Sequence, residues 1–262
     1  MIAGAVVKLG GSVITDKRGD RPRVRHAVLH RVATELASGG VAAVVHGAGS
    51  FGHGPVRRSG LHEGLRTDVQ RLAWAEVQIL QNELDAVVCR ALLRAGVPAV
   101  PCQASAAAVL RGRALEAWDT AAPEAMVRLG LVPVLYGVPA VDFAQGCAIL
   151  SGDVLAPELA LRLGVSRLLL GTDVDGVYTA DPRVDSKAER IPRITPGNWA
   201  EVAPALGGSA SVDVTGGMAG KVAELLRHAE RGVSSRIFDL TRPGRLVAAL
   251  RGEPVGTEIT AD

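Results

Sequence analysis

Four lysines occur in the 262 residues, and three of them stand beside glycine-rich turns. Lys8 ends the apolar run before Gly10-Gly11, Lys17 lies in the loop just after, and Lys221 follows TGGMAG. Arginine carries the rest of the positive charge. A compact ammonium can follow a moving phosphoryl group, whereas a guanidinium fork fixes a planar partner. A third turn, in AAVVHGAGSFGHG (42–54), spells G-x-G-x-x-G with Gly47, Gly49 and Gly52. Those letters match the dinucleotide fingerprint, which should open the first βαβ unit and be followed about 20 residues on by a ribose-binding acid. Here the turn follows the second apolar run. Asp68, at about the right distance, falls at a helix start, and the next strand, VPAVPC (97–102), is followed by Gln103. NAD is therefore disfavoured. Two bare-backbone turns at one sheet edge would instead present several N–H groups to one anion, and phosphate is the ligand they suit. The alternative is a pair of tight turns with solvated lysines nearby.

The elements that must position these residues alternate. AGAVVKL (3–9), VAAVVH (41–46), VPAVPC (97–102), LVPVLY (131–136), SRLLLGT (166–172) and SRIFDL (235–240) read as strands. AVLHRVATELAS (27–38), residues 67–96, EAMVRLG (124–130), SGDVLAPELALRLG (151–164) and the segment after the 213–217 turn read as helical. Continuous apolar strands separated by helices predict an α/β fold with a mainly parallel sheet covered on both faces. The weakest join lies near 145–152, between an N-terminal half (1–150) and a C-terminal half (151–262).

A formal charge of +2 with dispersed arginine gives no basic stripe for nucleic acid. Three scattered cysteines, Cys89, Cys102 and Cys147, form neither a disulfide framework nor a C-x-x-C metal site. No apolar stretch reaches the roughly 20 residues needed to span a membrane, and no secretory leader is evident, so a cytoplasmic enzyme is expected.

KLGGSVITDK (8–17), VVHGAGSFGHG (44–54), SGDV (151–154), GTDVDGVYTADPR (171–183), DVTGGMAGK (213–221) and GTEI (256–259) occur together and in this order. The set resembles the amino acid kinase superfamily and, within it, most resembles the isopentenyl phosphate kinases. The narrower likeness leans on SFGH and DVTGGM. The resemblance implies an open αβα sandwich, with an N-terminal lobe (1–150) for the phosphate acceptor and a C-terminal lobe (151–262) for ATP. It also implies Mg²⁺ with the nucleotide, a homodimer, and transfer from ATP to isopentenyl phosphate or a close alkyl phosphate.

By match to those motifs, Lys8 would bridge the transferring group, Gly10 and Gly11 would donate N–H bonds to it, and Lys17 would contact the terminal phosphates. Gly47, Ala48, Gly49, Gly52 and Gly152 would cradle the acceptor phosphate, with His53 bonded to it, and Asp153 would hold Lys8. Thr172, Asp173, Asp175, Gly176 and Tyr178 would shape the nucleoside pocket, closed over by Gly216, Met218 and Lys221. No dedicated protein metal site is expected. Asp153 could instead cap its helix, Asp173 and Asp175 could be turn formers, His53 could be a solvated turn residue, and His46 reads as structural. Trp74 and Trp118 read as packing residues, Trp74 with the option of lining the acceptor's tail pocket.

Three positions depart from the family pattern: GAG in place of GGG, Gly137-Val138 in place of Gly-Asp, and Val154 where a second acid is common. They bear on the exact acceptor and not on phosphotransfer. The alternatives are a fosfomycin-type phosphonate kinase, whose second turn also ends in FGHG, and a nucleotide-binding member without catalysis, against which the retained Lys8, His53, Asp153 and Lys221 speak.

Overall fold

A computed structural model of the chain describes residues 4–16, 21–182, 184–206 and 217–262. Its centre is an eight-stranded sheet. Across the sheet the strands run Arg193–Ile194, Thr257–Ile259, Ser234–Asp239, Arg167–Thr172, Ala5–Leu9, Val41–His46, Val132–Tyr136 and Ala99–Pro101. Only the pairing of Ser234–Asp239 with Thr257–Ile259 is antiparallel; the others are parallel. Residues before 151 supply one half of the sheet and later residues the other, and the halves meet where Leu9 pairs with Gly171.

The period-two side-chain alternation of Ala5–Leu9 divides the core. Val6 packs with the helices Gly152–Arg162 and Gly217–Ala229, through Leu155, Leu159, Val222 and Leu225. Ala5, Val7 and Leu9 pack on the other side, against the helices His26–Leu36, Asp68–Arg94 and Arg245–Leu250. Helices thus cover both faces, as the continuous apolar strands predict. Lys8 shares the parity of Val6, which directs it toward the face carrying Gly152–Arg162.

A second, four-stranded sheet was not legible in the alternation of elements. It runs Gly146–Leu150, Val138–Asp142, Ala108–Arg111 and Ala114–Trp118. The segment VDFAQGCAIL (141–150) forms most of a hairpin in this sheet. Asp142 holds the adjoining turns together. Its carboxylate accepts from the N–H groups of Gly112, Arg113, Ala144 and Gln145 at 2.6–3.2 Å.

The long helix begins where the sequence places it. Thr67 caps it by accepting from the Gln70 N–H, and Gln70 bonds back to the Thr67 N–H, a reciprocal capping box. Among the described residues no helix is long and apolar enough to cross a membrane.

Candidate active site

The carboxyl ends of the central parallel strands bring the glycine turns together. Gly10-Gly11 follows the Ala5–Leu9 strand and opens a single helical turn, Gly11–Ile14, while Gly47 follows Val41–His46. The two turns touch through bare backbone. A Cβ placed on Gly47 would lie 2.7 Å from the Gly11 nitrogen, and one on Gly11 would overlap Gly49. Gly49 also holds φ at +52°, in the left-handed region. Thr15 pins this contact: its hydroxyl donates to the Gly11 carbonyl at 2.7 Å and accepts from the Ser50 N–H at 3.0 Å. Thr15 is fully buried. Motif spacing did not single it out.

Lys8, on the neighbouring strand end, is buried, and its Nζ lies 2.7 Å from Asp153 Oδ1. Lys221 approaches the same oxygen at 3.4 Å from the first turns of Gly217–Ala229. Asp153 does not cap its own helix, because Ser151 does so by accepting from the Val154 N–H. Its carboxylate is thereby left to the lysines, at a helix N-terminus that itself favours negative charge. Burial pushes the Asp153 carboxyl up, but the two ammonium groups outweigh burial and hold it well below the usual carboxylate range. It is ionised throughout the physiological range. Gly152 packs against the Lys8 stem and the His46 carbonyl.

Beyond the cradle, Gly52 leads into the helix His53–Ser59, with His53 exposed at its start. Behind it lies an apolar cluster of Val56, Leu61, Val77 and Cys147, extended by Leu65, Trp74 and Ile149. Burial pushes the Cys147 thiol up to about 12, so it behaves as an apolar group. Trp118 is buried in the main core, as read.

The remaining expected residues fall on the next strand end. Thr172 closes Arg167–Thr172 and bonds both main-chain groups of Val174. Asp173 is exposed, whereas Asp175 turns inward and pairs with Arg245 at 3.1 Å. Gly176 precedes the short strand Val177–Tyr178, which is tied down by Thr257 accepting from the Val177 N–H. Met218 opens the helix that carries Lys221. Lys17 and Gly216 lie outside the described residues. At the departures from the family pattern, Val138 is buried and Val154 is half-buried against the core.

Spacing gave no sign of Gln81 and Asp85 on the long helix, two buried residues that approach the second turn. Asp85 lies 3.3 Å from His46, and Gln81 stands close to Gly52. Gln81 and Asp85 stand at i and i+4 on the buried face of the helix, a pattern that names no partner for either.

The fold and the clustered lysines over paired glycine turns define a phosphotransferase of the amino acid kinase class. The chain belongs to the amino acid kinase family, whose model matches residues 4–239. Over 97% of its length it is 40% identical to the isopentenyl phosphate kinase of Methanothermobacter thermautotrophicus, of which it covers 98%. To the isopentenyl phosphate kinase of Methanocaldococcus jannaschii it is 32% identical, over 97% of each. A solved isopentenyl phosphate kinase superposes with a TM-score of 0.85 at 34% identity, over 98% of this chain and 99% of that one. A UMP kinase from Bacillus anthracis shares the fold, with a TM-score of 0.66 at 16% identity.

Proposed function

We propose that this chain transfers the γ-phosphoryl group of ATP to isopentenyl phosphate, giving isopentenyl diphosphate and ADP. The observation that carries the reading is the Lys8–Asp153–Lys221 cluster at the junction of two glycine turns. The full-length likeness to isopentenyl phosphate kinases supports the acceptor. Val56, on the helix that His53 opens, belongs to a filled apolar cluster with Leu61, Trp74, Val77 and Ile149, against which an alkyl tail would lie rather than enter.

A phosphate monoester is already an anionic nucleophile, so the protein's task is to bring two polyanions together and stabilise the charge on the transferring group. Lys8 bridges that group, and Gly10 and Gly11 donate N–H bonds to it. Asp153 keeps Lys8 and Lys221 aimed at one point. The turn at Gly47, Ala48 and Gly49 cradles the acceptor phosphate, with Gly52 and Gly152 beside it and His53 bonding to it. Thr172, Asp173, Gly176, Tyr178 and Met218 border the nucleoside, and Asp175 braces their loop through Arg245. Lys17 and Gly216 take their roles from the motifs alone. On this reading residues 1–150 bind the acceptor and 151–262 bind ATP.

Among the described residues no group of three His, Cys, Asp or Glu side chains could hold a metal. Asp153 is occupied by two lysines. This donor set fits a Mg²⁺ ion carried mainly by nucleotide phosphates and water, which would neutralise phosphate charge. The assignment extends to a homodimer, consistent with Val69, Leu72 and Ile79 exposed along the long helix, and to a cytoplasmic setting.

A coupled ADP-release assay with isopentenyl phosphate, dimethylallyl phosphate, fosfomycin, UMP and carbamate tests the reading. Turnover of isopentenyl phosphate is expected. Turnover confined to fosfomycin, UMP or carbamate overturns it.

A further inference from the structure

We infer that His46 and Asp85 form a buried positioning dyad that sets the direction of the Gly47–Ala48 peptide, and with it the acceptor-binding face of the second glycine turn. The inference rests on the proposed role of that turn.

His46 is fully buried at the end of its strand, and Asp85 is buried on the long helix. The imidazole Nδ1 lies 3.2 Å from the Gly47 carbonyl oxygen, and Nε2 lies 3.3 Å from Asp85 Oδ1. The ring stacks on Tyr136, with centroids 5.3 Å apart and planes 18° from parallel. Tyr136 is itself held by its hydroxyl, which donates to Asn82. The ring therefore has little freedom to turn.

Donor counting fixes its role. A carbonyl oxygen only accepts, so Nδ1 carries a hydrogen and donates to Gly47. Nε2 faces a carboxyl oxygen, so a second proton lies between Nε2 and Oδ1, shared as imidazolium with carboxylate or as imidazole with carboxylic acid, and in either form Nδ1 remains the donor to Gly47. The other titratable groups around Asp85 are Cys89, Cys102 and Tyr136. Burial, aided by the Asp85 charge, pushes all three up, so they stay neutral and do not compete for that proton.

The consequence reaches the cradle through peptide geometry. A trans peptide is planar, with its N–H opposed to its C=O. Holding the Gly47 carbonyl on His46 therefore aims the Ala48 N–H away from the dyad. Among the described residues no backbone acceptor takes that N–H. Gly47 has no side chain to restrict its own rotation, so the imidazole supplies the restriction. Fold stability is a weak reason for such a pair, because a buried ionic pair often contributes less than apolar residues of the same volume.

Two substitutions of similar polarity separate positioning from packing. The His46→Asn amide nitrogen replaces Nδ1 and can still donate to Gly47. The His46→Gln amide replaces Nε2 and cannot. With isopentenyl phosphate as acceptor, His46→Gln is expected to raise the acceptor KM roughly five- to tenfold, about the worth of one hydrogen bond. The KM for ATP should be unchanged, and His46→Asn should recover most of the loss. Asp85→Asn, whose amide can donate to Nε2, should behave like His46→Asn. Equal effects of Asn and Gln at position 46, or parallel shifts in both KM values, overturn the inference. If the wild-type protein leaves isopentenyl phosphate untouched, the proposed function fails instead, and the same variants are compared on the acceptor it does use.

Discussion

Gly11 and Gly47 meet backbone to backbone, with the position of a Gly47 Cβ only 2.7 Å from the Gly11 nitrogen. The turn assigned to the transferring group and the turn assigned to the acceptor are thus held too close for any side chain to fit between them. Gly47→Ala must push them apart. Because a displacement of about 1 Å in a reacting pair costs about a hundredfold in rate, kcat should fall by about that factor. Gly197→Ala, at a helical glycine whose added Cβ would meet only Thr195 Oγ1 at 3.5 Å, serves as the control and should leave kcat unchanged. Steady-state kinetics on the two variants checks the contrast.

Lys8→Ala should abolish transfer, lowering kcat by about a thousandfold or more, as loss of a charge-stabilising donor does. Retention of most of the activity would remove Lys8 from the phosphate-bridging role.

The Asp153 carboxyl is held below its unfolded value by Lys8 and Lys221 against the opposing effect of burial. Its stabilising contribution is therefore fully present above the unfolded value near pH ~4 and is lost as pH falls through the lower, folded value. Thermal melts between pH 7 and pH 3 should show the wild type losing more stability toward acid than Asp153→Asn. Equal acid slopes would mean that the lysines do not govern this carboxylate.

His53→Ala should raise the acceptor KM several-fold while leaving the KM for ATP nearly unchanged, the pattern of a lost acceptor contact. The measurement is a pair of saturation curves, each with the other substrate in excess.

The parallel sheet and the site's charged members were legible because their signals are local. Apolar runs ending in glycine marked the strand ends, and Lys8, Asp153 and Lys221 sat beside recognisable turns. Capping chemistry left Asp153 ambiguous, and only the structure shows Ser151 taking the cap. The second sheet escaped because its strands are short and Gly112-Arg113 reads as a loop. Both residues take positive φ, the conformation of a tight hairpin turn. Thr15, Gln81 and Asp85 were invisible for another reason: their partners, Ser50, Gly52 and His46, lie between 29 and 39 residues away along the chain. No spacing rule spans such distances.

Asp142 offers a test of how that second sheet supports the acceptor side. Burial raises its carboxyl's affinity for a proton, but the four backbone N–H groups it accepts outweigh burial and leave the carboxyl below its usual range. Asp142→Ala would strip the partners from four main-chain donors in the turns at 112–113 and 144–145. The expected destabilisation is about 3 kcal/mol, several hydrogen bonds to one charged acceptor with some donors recovering water. Asp142→Asn keeps the shape but replaces one accepting oxygen with a donor, and should fall between the two. Urea melts give the ordering. Because the same hairpin carries Cys147 and Ile149 into the apolar cluster behind His53, Asp142→Ala should also weaken acceptor use more than ATP use. A stability loss with both KM values unmoved would separate the hairpin from the acceptor pocket.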